Sequence, residues 1–194
     1  MEDRKLNEAE SLDLIAAMIR NARTNQRARI NCNIILVWGY VSVLVSLIVW
    51  VIKLYNAFSY SSLLWLLIPM ICFPITKYML SKDKMGVTSY IDRSIYYITI
   101  LFVIICSTFG LSTFISDFPA LFIEALLVCI WMVIMGILLK SKPIIWGGII
   151  GAVVSYTLLF IPDMISQIPL FALTLVISII IPGHLFKKSI SQNV

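Results

Sequence analysis

Six long apolar runs constrain the fold of this chain more than any other feature. A helix needs roughly 20 mostly apolar residues to cross the hydrocarbon core of a bilayer. The chain is 60% hydrophobic and 13% charged, whereas soluble domains have about 45–50% apolar and about 25% charged residues. The sequence therefore predicts an all-α membrane protein, a bundle of six transmembrane helices in three hairpins, with spans at about 33–53, 61–80, 95–115, 119–139, 143–161 and 167–186.

The remaining residues are too few for a folded soluble domain. We expect a cytoplasmic amphipathic helix within residues 1–30, a membrane domain at 31–188 and a cytoplasmic tail at 189–194. Asn7 and Glu10 have the spacing of a capping box at the start of the N-terminal helix. Its arginines favour contact with anionic lipid headgroups, with docking to a partner as the alternative; they are Arg20, Arg23, Arg27 and Arg29.

Basic residues cluster on one side of the predicted spans. Of the 15 lysines and arginines, only Lys53 falls in a connection on the other side. The positive-inside rule then places both termini in the cytoplasm. The net charge of +5 is explained by this asymmetry, and the bilayer rather than nucleic acid is the expected partner.

Small residues line one side of the fifth predicted span. Gly147, Gly151 and Ser155 recur every fourth residue, with Gly148 and Ala152 beside them. In lipid, helices associate by close backbone approach over small residues. We expect neighbouring helices, a membrane-protein partner or a second copy of the chain to pack against this small-residue face.

Prolines interrupt two predicted spans. Pro69 and Pro74 lie in the second span, and each leaves one helical carbonyl without its N–H donor. Such a break either lines a binding site or is a static kink filled by packing. In the sixth span, Pro182-Gly183 is expected to end the helix at the cytoplasmic surface.

Glu124 is the acid that lies well inside a predicted span. It follows Pro119 by five residues, or roughly 7 Å along a helix. An intramembrane carboxylate is a candidate ion or solute site; the alternative is contact with the outer interface or a neighbouring helix. The single histidine, His184, is expected at the membrane surface. No catalytic motif, metal site or cofactor site is recognisable, so we expect no enzymatic activity.

Four short motifs support a resemblance to a known group of proteins. They are Asn7-Glu8 through Ser11-Leu12 to Met18-Ile19, Trp38-Gly39-Tyr40, Thr88-Ser89-Tyr90-Ile91-Asp92 and Ile181-Pro182-Gly183-His184-Leu185. Over most of its length the chain resembles small bacterial six-helix inner-membrane proteins with no assigned activity. The resemblance implies a bacterial inner membrane and supplies no mechanism. In size and helix count the chain is also similar to substrate-binding subunits of energy-coupling-factor transporters, which dock on their partner through small-residue helix faces.

Two functions follow from these features. The first is a non-enzymatic accessory or regulatory membrane protein that acts through helix contacts. The second is a small-solute-binding or transport protein that uses Glu124 and the interrupted second span. The small-residue face favours the first function, and the intramembrane carboxylate favours the second.

Overall fold

A computed structural model describes residues 8–55, 61–81, 90–112 and 119–192, and all regular structure in these residues is helical. Seven α-helices follow one another along the chain, with two 3-10 segments and one π segment between them. The α-helices are α1 (Glu8–Leu54), α2 (Leu67–Ser81), α3 (Tyr90–Ser112), α4 (Ala120–Leu138), α5 (Lys142–Ser155), α6 (Met164–Leu175) and α7 (Ile181–Gln192).

Six helical stretches are long and apolar enough to cross a membrane, as the sequence predicts. The structure places them at Ala28–Leu54, Leu63–Ser81, Arg93–Gly110, Ala120–Leu138, Lys142–Phe160 and Met164–Ser191. Each overlaps one predicted span. The first and last are longer than expected, because helical structure continues past the apolar residues at both ends of the chain.

The N-terminal segment joins the first span without a break. Helix α1 runs for 47 residues from Glu8 to Leu54, so the residues predicted to form a separate surface helix continue the same rod. The predicted cap at Asn7 lies outside the described residues. From Glu8 to Ala28 the rod extends for about 30 Å at the helical rise per residue.

Helices α4 and α5 form a tight hairpin because a glycine removes the side chain between them. Lys140 adopts a left-handed conformation, with φ of 52°, and the Ser141 N–H donates to the Gly136 carbonyl. A methyl group added at Gly136 would lie 2.7 Å from the Ile145 backbone nitrogen. The turn therefore closes at a distance that only glycine permits.

The small-residue face of α5 packs inside the protein. Gly147, Gly148, Gly151 and Ser155 are all buried. A methyl group on Gly148 would lie 2.8 Å from the Cys129 carbonyl oxygen of α4, and one on Gly151 would lie 2.6 Å from Ser178 Cβ. Helix α5 is thus held between α4 and the last span.

The last span is not broken at Pro182-Gly183, which corrects the expectation from the sequence. A π segment, Val176–Ile180, precedes the proline, and α7 then continues through it to Gln192. A proline in a helix cannot bond the carbonyl four residues earlier and its ring clashes with that group; here that group belongs to Ser178. The widened turn accommodates the clash, and the helix persists because Gly147 leaves space for the Pro182 ring.

Helices α2 and α3 lie at the periphery. In the most apolar window of each, 6% of residues are buried, against 33–44% in the other four spans. Their exposed residues are mainly apolar, for example Met70, which is 73% exposed. The fold therefore combines a closely packed core, formed by the membrane-spanning part of α1, by α4 and α5 and by the last span, with two outer helices whose inner faces enclose less tightly packed space.

Candidate functional site

A cavity of about 110 Å³ lies between the core and the outer helices. Its walls come from α1, the 3-10 segment Ser61–Leu66, and helices α2, α3, α4 and α6. Helix α5 contributes no wall residue. The small-residue face therefore belongs to the packed side of the bundle, and the cavity to the other side.

Glu124 lines this space, which we call the Glu124 cavity. It lies on the second turn of α4, about 6 Å along the axis from Ala120. Gly110, near the end of α3, faces it so closely that an added methyl group would lie 3.3 Å from Glu124 Oε1. The glycine thus leaves room for the carboxylate between α3 and α4.

The other lining residues carry almost no charge. Among the lining residues that the structure describes, Glu124 is the one acid, and none is lysine, arginine or histidine. The polar side chains beside it are the hydroxyls of Ser42 and Ser107 and the thiol of Cys106. The carboxylate therefore has no basic side chain in the cavity to neutralise it.

Aromatic rings form much of the apolar wall. Trp38, Trp65, Phe102 and Phe171 line the cavity, and ring contacts hold each of them. Trp65 and Phe171 pack edge to face with centroids 5.3 Å apart. Phe102 stacks on Trp131 at 5.5 Å, and Trp38 packs edge to face on Phe73 at 5.5 Å.

A hydrogen bond fixes the deepest of these rings. Trp38 Nε1 donates to Thr76 Oγ1 of α2 at 3.1 Å. Trp38 lies about 24 Å from Leu54 along α1, whereas Glu124 is near the start of α4. The cavity therefore extends from the end of the bundle near Glu124 towards its middle.

Only one of the two prolines in the second span reaches the cavity. Pro69 lines it, directly after the 3-10 segment gives way to α2. The first turn of an α-helix tolerates proline because its N–H would have no helical partner there. Pro74 lies inside α2 and is not a lining residue. The structure thus brings Pro69 and Glu124 to one site and leaves Pro74 outside it.

The remaining predicted residues lie elsewhere. Ala152 is half-buried beside the buried members of the small-residue face. Arg29 is exposed, while Arg20, Arg23 and Arg27 lie on α1 with side chains outside the described part. His184 Nε2 and the exposed Tyr40 hydroxyl form a hydrogen bond of 2.6 Å, and neither residue lines the cavity.

Sequence reasoning missed the aromatic lining. Trp38, Trp65, Phe102 and Phe171 come from four separate helical segments, and tryptophan in an apolar span is also typical of membrane boundaries. They meet in one cavity only through the tertiary arrangement, which no local sequence pattern shows. Among the described residues, no cluster of three or more His, Cys, Asp or Glu side chains has the geometry to hold a metal ion.

Comparison with known proteins assigns no function to this arrangement. No protein-family model matches the chain, and no curated protein or solved structure is significantly similar to it. The candidate site therefore has to be interpreted from its own residues.

Proposed function

We propose that this chain is a multi-pass membrane protein that binds a small solute in the Glu124 cavity. The observation that carries the proposal is a carboxylate, within a predicted span, that lines an apolar cavity whose described residues include no basic side chain. Ligand sites are concave and mostly apolar, with a few placed polar groups. A carboxylate inside a span is costly to keep, which favours a role in binding.

The membrane location follows from the surface of the bundle. Large apolar side chains are exposed on several helices, including Met70 at 73%, Val153 at 68% and Phe160 at 84%. Soluble proteins rarely expose extended apolar surface, whereas lipid solvates it. We further propose a bacterial inner membrane, on the resemblance noted above, with both termini in the cytoplasm from the distribution of basic residues.

The second candidate is an accessory membrane protein that acts through helix contacts. It is favoured by the extension of α1, which continues for about 30 Å before the first span begins at Ala28. The small-residue face supports it less, since those glycines pack against α4 and the last span of the same chain. A partner would then dock on the N-terminal rod.

The binding proposal is tested by thiol labelling of Cys106. Cys106 lines the cavity, whereas Cys32, Cys72 and Cys129 are at most 1% exposed. In purified protein, methyl methanethiosulfonate, a small uncharged thiol reagent, should add one label per chain, at Cys106. Intact-mass measurement follows the rate of labelling.

Variants that fill the cavity make this test specific. Val128→Trp should slow labelling at least about tenfold, because Val128 lines the cavity and the larger ring occupies the space. Val153→Trp is the matched control, on an exposed face of α5, and should label like wild type. Equal labelling of Cys106 in both variants would show that small molecules do not use this cavity. Ser107→Trp fills the same space from α3 and repeats the test with a different helix.

A further inference from the structure

The Glu124 cavity has a chemical character that points to one class of ligand. We propose that it binds a small organic cation, a substituted ammonium group held by the Glu124 carboxylate and the aromatic walls. This inference rests on the proposed binding function and specifies its ligand. Three properties of the site carry it, namely charge, wall composition and size.

The charge of the site is unbalanced. The described residues of the lining include one carboxylate and no basic side chain. Transfer of an ionised carboxylate to apolar surroundings is strongly unfavourable, so the group either takes up a proton or is accompanied by an opposite charge. A cationic ligand supplies that charge, whereas an anionic ligand would add repulsion.

The walls select an organic cation over a metal ion. Hard metal cations take about six or more oxygen ligands, and the lining offers one carboxylate and the hydroxyls of Ser42 and Ser107. Aromatic faces, by contrast, attract substituted ammonium groups through their quadrupoles, best of all tryptophan, within about 6 Å of the ring centroid.

The aromatic side chains are also held in place before a ligand arrives. Trp65 and Phe171 contact each other, Phe102 is backed by Trp131, and Trp38 is fixed by Phe73 and Thr76. Rings that need no rearrangement lose little conformational entropy on binding. The cavity is thus organised for a compact cation.

Size limits the cation to a small one. The cavity measures about 110 Å³, whereas an engineered apolar cavity of about 150 Å³ accepts benzene. A group of the size of tetramethylammonium suits a cavity of this volume. Small alkylammonium groups occur both on free solutes and on lipid headgroups. The proposed ligand is such a group, from either source.

The probe for this proposal is tetramethylammonium, and the comparison molecule is tert-butanol, which is uncharged and of nearly the same size. Saturable protection of Cys106 from methyl methanethiosulfonate reports occupancy of the cavity. Each rate is normalised to that of the same variant without probe, because Glu124 lines the same cavity as the thiol. Tryptophan fluorescence provides an independent binding curve.

Wild-type protein in lipid-free detergent should be protected by tetramethylammonium and not by tert-butanol at equal concentration. Glu124→Gln should weaken binding of the cation by about ten- to a hundredfold, as expected for loss of one charge-assisted contact. Asp163→Asn is the matched control, since Asp163 is exposed on the bundle surface and lies outside the cavity. It should bind like wild type.

The outcomes separate this inference from the function on which it rests. Equal protection by both molecules, or binding unaffected by Glu124→Gln, would overturn the cation assignment while the labelling block by Val128→Trp still supported a binding cavity. If Val128→Trp leaves labelling unchanged, both proposals fail. Protection by phosphatidylethanolamine nanodiscs that depends on Glu124, without protection by the free probe, would support the ammonium chemistry and assign it to a lipid headgroup.

Discussion

Replacement of Gly148 tests how the bundle is packed, because its neighbours include backbone atoms of α4 as well as the Val133 side chain, whose Cγ2 would lie 2.7 Å from an added methyl group. A methyl group there would lie 2.8 Å from the Cys129 carbonyl oxygen and 3.0 Å from the Val133 nitrogen. Comfortable contact between non-bonded carbon atoms needs about 3.5–4.0 Å. Since a helix backbone cannot turn aside as a side chain can, α4 and α5 would have to separate by about 0.5–1 Å.

Two opposing terms determine the size of the effect. Overpacking of a closely packed interior costs about 1–3 kcal/mol, and alanine gains up to about 1 kcal/mol over glycine in a helix. Gly148→Ala should therefore lower the free energy of unfolding by about 1 kcal/mol. Gly148→Val adds two carbons and a β-branch, so its loss should reach about 3 kcal/mol.

Gly110→Ala is the matched control. Among the described residues, its added methyl group would approach Glu124 Oε1, at 3.3 Å, and that flexible carboxylate can rotate away. The variant should stay within about 1 kcal/mol of wild type. Unfolding in mixed micelles with increasing dodecyl sulfate, followed by circular dichroism, measures these differences. A Gly148→Ala protein at least as stable as Gly110→Ala would refute the packing argument.

Three further perturbations have defined outcomes. Glu124→Leu should raise the free energy of unfolding by about 1–3 kcal/mol, measured in the same micelle titration, because it removes a carboxylate from an apolar cavity that has no basic side chain among its described lining residues; a loss of stability would show that Glu124 contributes to the fold and would contradict this reasoning. Asp163 caps α6 by accepting hydrogen bonds from the Ser166 N–H and hydroxyl, which hold the pKa of Asp163 below its usual range. The cap stabilises α6 fully at pH values above the pKa of Asp163 in the unfolded chain, and this contribution is lost as the pH falls through the lower pKa of the folded protein. The loss of stability at acidic pH should therefore be shallower in Asp163→Asn than in the wild type. An equally steep loss in both proteins would count against the cap. A double-mutant cycle of Trp38→Phe and Thr76→Val should give a coupling of about 0.5–1.5 kcal/mol for their hydrogen bond, and additive effects would argue against that contact.

Local sequence properties predicted the helical architecture well. Apolar runs of about 20 residues mark spans because lipid requires each segment to satisfy its own backbone hydrogen bonds, and in the described residues each of the six runs overlaps a helical stretch long enough to cross a membrane. Proline predicted the end of a helix less well. Pro182 suggested the end of a helix, but the outcome depended on a π segment before it and on Gly147 of another helix, which leaves space for its ring.

The candidate site was only partly predictable. Glu124 and Pro69 stood out individually, because a carboxylate and a helix interruption are each costly in lipid. Whether these two residues line one cavity depends on how α2 and α3 pack against α4. The same packing leaves Pro74 outside the cavity. The aromatic lining has no local signature, since tryptophans at membrane boundaries and tryptophans at a binding site look alike in sequence.

The most direct test of cation binding at Glu124 is to locate a bound cation in crystals of the protein. Crystals soaked with tetramethylarsonium, a heavier analogue of tetramethylammonium, would reveal the arsenic atom by its anomalous scattering. We predict one dominant peak inside the Glu124 cavity, beside the carboxylate and within about 6 Å of an aromatic ring centroid, and no such peak in Glu124→Gln crystals. A peak in the cavity of both proteins, or none there in the wild type, would contradict this prediction.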